Sequence, residues 1–219
     1  MYFLDLNLFF CEVLKRMNKN QDANANKTVF EQQAIQLLNE LSQIINEKWV
    51  SLNITGCNHI KTLSNLFTEI SSKNNEFENE SNDQKLDVPL FNATTLDMLK
   101  QCNDTFEKLD ELLTNFSYYL NRLIKINDNL ISLNGSDLEI FHILNFKSLK
   151  FDLAELCECF KKEFSFKSIL IKKYLFESRF DDELRVAILS SWMHQPHLDE
   201  IKIFKINSVL ENFKKLNKK

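Results

Sequence analysis

The chain has 219 residues, 27 Lys+Arg against 31 Asp+Glu, and only two glycines and two prolines. At roughly 100–200 residues per domain this allows one domain or two small ones, and 44% hydrophobic residues suffice for a core. Gly56 and Gly135 lie too far apart for a dinucleotide fingerprint or a phosphate loop. So little Gly and Pro disfavours tight-turned β architectures. A net charge of −4 argues against a dedicated nucleic-acid binder, and five scattered cysteines argue against a disulfide scaffold.

Residues 1–27 form an atypical N-terminal segment. Tyr2, Phe3, Leu4, Leu6, Leu8, Phe9 and Phe10 are apolar, but Asp5 and Glu12 interrupt them and no basic residue precedes them. A signal peptide needs a basic start and an unbroken apolar centre, so an amphipathic helix or an atypical gene start is the expectation. A secreted helical protein is the competing one, and glycan addition at Asn26 or Asn92 would favour it. No apolar run approaches the roughly 20 residues of a membrane span. Residues 18–27 are Asn- and Lys-rich and read as a linker.

A helix is predicted from about Thr28 to Leu52, opened by a Thr28/Glu31 capping box and carried by Leu37, Leu41, Ile44, Ile45 and Trp49 at helical spacing. Asn53 to Gly56 reads as its stop, with Gly56 in the left-handed conformation that ends helices. A shorter helix through Ile60, Leu63, Phe67 and Ile70 then makes 28–72 a helical hairpin. Residues 73–92 hold Glu76, Glu78, Glu80, Asp83 and Asp87 with little to bury, and read as an acidic flexible linker.

The strongest pattern follows. Leu99, Cys102, Phe106, Leu109, Leu113, Phe116, Leu120, Leu123, Asn127 and Leu130 alternate by three and four, a heptad seam on a helix from about 96 to 133. Asn127 sits where a buried polar residue fixes register. The remainder of 93–213 is helical: Leu149 to Phe180, a helix opened by Asp181-Asp182-Glu183 and stopped by His194-Gln195-Pro196, and a last one from about Leu198 to Phe213. Residues 214–219 form a basic tail. The fold class is all-α, an elongated helical bundle with a long coiled-coil helix.

No residue set points to chemistry. His194, His197, Asp199 and Glu200 are the densest group of possible metal ligands, but Pro196 breaks the helix that would align them; no metal is expected. Cys157 and Cys159, two apart on a helix, face different sides. No nucleophile elbow exists, so no catalytic residue, no cofactor and no enzymatic activity are expected. Between Phe160 and Phe176 the aromatics read as core and the lysines as a solvated face, so direct nucleic-acid contact is not expected.

Two motifs carry a resemblance: Trp49-x-x-Leu52-Asn53-x-x-Gly56, and Leu189-Ser190-x-Trp192-x-His194-Gln195-Pro196. With the heptad region between them, the chain from about Thr28 to Leu210 resembles the cyclin-dependent kinase 2-interacting protein family, although His197 replaces an expected aromatic residue. The resemblance implies a non-enzymatic adaptor of the nucleus, with the cytoplasm as a second location. Its implied partners are cyclin-dependent kinase 2, a cell-division-cycle kinase and AAA ATPase subunits, in DNA replication, checkpoint signalling and ribosome maturation. The expected partner surface is Trp192, His194, Gln195 and Pro196 together with unpaired parts of the seam, while Trp49, Leu52, Asn53 and Gly56 form a helix corner. The alternative is a coiled-coil structural subunit of a kinetochore, tethering or cytoskeletal complex, which accounts for the heptads but not for the second motif.

Overall fold

The computed structural model describes residues 32–80, 88–133 and 146–216. Every regular element among them is helical. The first, α1, runs from residue 32 through a π turn at Ile44–Lys48 into Trp49–Glu80. Next come α2 (Val88–Ser132) and α3 (Phe146–Ile169), the latter extended by a π segment at Leu170–Leu175 and a 3-10 turn at Ser178–Phe180. The fold closes with α4 (Asp182–His194) and α5 (Glu200–Leu216). An all-α bundle is what the composition and the apolar spacing predict.

Three boundaries differ from the sequence reading. There is no hairpin within 28–72: α1 continues through Asn53 and Gly56. The π turn, closed by the Trp49 N–H on the Ile44 carbonyl, adds one residue to the turn. It lets Leu41, Ile45 and Trp49 lead into Gly56, Ile60 and Leu63 on one buried stripe. Residues 73–80 and 88–92, expected in the acidic linker, belong to α1 and α2, because a helix end can extend through polar residues while its backbone bonds continue. The capping box at Thr28 and Glu31, residues 81–87, the turn at 134–137 and residues 217–219 of the basic tail lie outside the described residues, as does the whole N-terminal segment 1–27.

The 45-residue α2 is the centre of the fold. It lies against α1 on one side and α3 on the other, so its buried face is wider than a two-helix seam. Leu109, Leu113, Phe116, Leu120, Leu123 and Leu130 are buried as the heptads require, and Leu112 and Ile126 are buried beside them. The seam is thus satisfied by this chain's own helices. Phe106 is half-buried and Leu99 is 51% exposed, so the seam opens towards its N-terminal end.

The helix-end readings near the C-terminus hold. Asp181, in extended conformation, accepts the Leu184 N–H at 2.9 Å and caps α4. Asp199, rather than facing an ion, accepts the Ile201 and Lys202 N–H groups at 3.0 and 3.1 Å and caps α5. Those bonds hold its carboxyl below the usual range. Gln195 ends α4 at φ 47°, the left-handed region, immediately before Pro196.

Candidate functional site

The two motifs, some 140 residues apart in sequence, meet inside the bundle. Trp192 of α4 is 0% exposed and lies across Gly56 of α1. Its indole Nε1–H donates to the Asn53 carbonyl at 2.9 Å. Trp49, 1% exposed, packs edge-on against Phe116 and Phe160 at 4.6 and 4.4 Å, and its Nε1–H donates to Gln195 Oε1 at 3.0 Å. A buried indole needs a partner for its N–H, and each tryptophan finds it on the other motif.

Behind Trp192 stands a charged pair that sequence reasoning missed. Lys167 and Glu163 of α3 are both fully buried, with Nζ 3.2 Å from Oε1. That approach is an ion pair without hydrogen-bond geometry, since Oε1 accepts no hydrogen bond among the described residues. Lys167 Nζ donates instead to Asn53 Oδ1 at 2.7 Å and to the Trp192 carbonyl at 2.9 Å, and it sits 4.0 Å from the Trp192 ring centroid. Glu163 Oε2 accepts the His197 N–H at 3.1 Å. One lysine therefore joins α1, α3 and the end of α4, and its carboxylate holds the turn after α4. Burial pulls the Lys167 amine down to about 8, with Glu163 opposing that shift.

These contacts correct two expectations. Trp192 is not a partner-facing side chain: it is interior, because the missing Cβ at Gly56 leaves a slot for its ring. Of the residues expected beside it, Gln195 is partly buried on Trp49, and only His194 and Pro196 are exposed. The set Trp49, Leu52, Asn53 and Gly56 is not a helix corner either. It is mid-helix, and Asn53 serves by binding Lys167 and Trp192 rather than by stopping α1.

Arg185 was also unread. It is 4% exposed, donates to the Ser178 and Arg179 carbonyls at 2.8 and 3.0 Å, and pairs with Asp182. It thereby satisfies carbonyls that the end of α3 leaves without helical partners.

An open apolar feature lies at the other end of the seam. A groove of about 840 Å³ runs between α1, the first half of α2 and the end of α3. Phe67, Leu99, Cys102, Phe106, Phe176 and Phe180 line it. Phe176 and Phe180 are 54% and 80% exposed. The guanidinium of Arg179 lies over both rings, 4.2 and 4.6 Å from their centroids, and Lys172 and Asp110 complete the rim. No group of three or more His, Cys, Asp or Glu able to hold a metal exists among the described residues. No helix there is long and apolar enough to cross a membrane.

Comparison with known proteins finds no matching family model, curated protein or solved structure.

Proposed function

We propose that this chain is a non-enzymatic helical adaptor that holds partner proteins through the apolar groove between α1, α2 and the end of α3. The observation that carries this reading is the groove itself. A chain that closes its core around two tryptophans and a buried ion pair leaves Leu99, Phe176 and Phe180 open together. Contiguous exposed apolar surface of that kind marks interaction sites, and its form suits a helix laid in a groove. In this reading the partner surface is the groove rather than Trp192, which is buried.

The partners proposed are those the resemblance implies: cyclin-dependent kinase 2, a cell-division-cycle kinase and AAA ATPase subunits, in the nucleus, serving DNA replication, checkpoint signalling and ribosome maturation. The meeting of both resemblance motifs in one buried lock supports treating them as a unit. A coiled-coil structural subunit would need a free seam, and α1 and α3 occupy most of this one. The test is purification of the tagged chain from its own cells, beside a Leu99→Glu/Phe180→Glu variant, with mass spectrometry of what accompanies each. Kinase or ATPase subunits that the wild type retains and the variant loses support the reading. Tether or kinetochore subunits, or a partner list the variant does not change, overturn it.

A further inference from the structure

Resting on that reading of the groove, we propose that this chain's own N-terminal segment, residues 2–14, docks in the groove. Chemical complementarity is the first argument. At helical spacing Tyr2, Leu6, Phe9 and Val13 share one side of the segment, with Phe3 and Phe10 beside them. Asp5 and Glu12 are seven residues apart, so they fall together on one flank of that side, about 10 Å from each other. The groove presents the counterpart: a floor of Phe67, Cys102 and Phe106, open rings at Phe176 and Phe180, and the cations Lys172 and Arg179, also seven residues apart. Neither cation has a carboxylate partner within ion-pair distance among the described residues. The segment carries no cation before Lys15. Arg179, already stacked on two rings, presents a planar fork suited to a carboxylate.

Reach is the second argument. The spacer from 15 to 31 can extend at most about 60 Å. From residue 32 to Phe67 the helix rises about 50 Å. The segment can therefore reach the groove of its own chain on a nearly taut spacer, and the groove of a neighbouring copy without that constraint.

The test uses the full chain with a benzophenone amino acid in place of Phe9, irradiated and mapped by mass spectrometry. Adducts are expected on peptides carrying Leu99 to Phe106 and Phe176 to Phe180. Reversing both cations, Lys172→Glu with Arg179→Glu, should lower their yield about fivefold or more at low salt. Adding Asp5→Lys and Glu12→Lys to that variant should restore it, which separates lost pairing from lost folding. A mixture of isotope-labelled and unlabelled chains assigns the adducts to one chain or two; adducts within one chain support the proposal, and adducts only between chains overturn it. Adducts on other helices, no adducts, or a yield insensitive to charge reversal overturns it. Because no partner protein enters the experiment, its failure leaves the adaptor reading standing, and failure of partner capture leaves this result standing.

Discussion

A Cβ built on Gly56 would lie 2.2 Å from Cζ2 of Trp192 and 2.7 Å from its Cε2. Neither atom can move independently, since the indole is held by its Nε1–H on the Asn53 carbonyl and by Lys167 against its face. In an exposed helix interior, Gly→Ala stabilises by roughly 0.5–1 kcal/mol. Here the sign reverses, because the overpacking cost of about 1–3 kcal/mol outweighs that gain. Gly56→Ala should lower the urea midpoint, and Trp192→Phe, which removes the second ring, should recover part of the loss in the double variant. Strict additivity of the two changes in urea titrations would show that they do not share a site.

The Lys167–Glu163 pair gives a second prediction. Removing one partner of a buried pair strands the other charge, at about 3–5 kcal/mol. Lys167→Met should therefore be severely destabilising, while Lys167→Met with Glu163→Leu should recover most of the stability. The pH dependence follows from the same burial. The amine is at about 8 when folded and at 10.5 when free, so between those values the unfolded chain binds more protons. Stability then rises with pH. Below pH 8 the full penalty of burying the cation is present; above 10.5 it is gone. The gain across the window is on the order of 3 kcal/mol, read as the difference between wild-type and double-variant denaturation curves at matched pH. A flat difference from pH 8 to 10.5 would contradict it.

The burial of these two charged residues is not visible from their charge spacing alone. Glu163 and Lys167 are spaced i, i+4 in the favourable order, which usually describes a solvated surface pair. The missed signal was their register: Leu153, Leu156, Phe160, Glu163, Lys167 and Leu170 alternate by three and four, so both charges occupy positions of the apolar stripe. Arg185 stands likewise in line with Ile188 and Trp192. Gly56 was misread for a related reason. A glycine after an apolar helix resembles a stop, yet Trp49, Asn53, Gly56, Ile60 and Leu63 hold the same alternation straight through it. The leucine stripe of α2 and the Asp181 cap were legible because each rests on local spacing. Which charge lies in a core, and which small residue admits a ring, depends on an element more than a hundred residues away. The groove was legible only as a seam, since the opening at Leu99 depends on where α1 and α3 stop covering α2.

Asn127 has the position expected of a register-setting residue, 9% exposed in the stripe of α2. Its Oδ1 has no hydrogen-bond partner among the described residues. A buried amide oxygen without a partner opposes folding by about 1–3 kcal/mol, so the position expected to fix register carries a cost in stability. Asn127→Leu should raise the thermal midpoint, by about 1 kcal/mol of stability or more. It should also weaken discrimination between packings, seen as broader amide signals from α2 in NMR spectra. A lower midpoint would mean that the amide is satisfied in solution.

The cysteines supply the last prediction. Cys157 is 4% exposed, and burial among apolar side chains pushes its thiol up to about 12. The thiolate is the nucleophile, and at pH 8 almost none of this group is in that form. Cys159, two residues on, is half-buried on another side of α3. Brief iodoacetamide treatment of the native chain at pH 8, followed by peptide mapping, should therefore modify Cys159 well before Cys157. Adding urea should remove the difference, because unfolding returns Cys157 to an ordinary thiol. Equal labelling of the two in the native chain would place Cys157 in solvent and contradict the packing of α3 on α2, where its Sγ lies 4.0 Å from the Leu123 carbonyl.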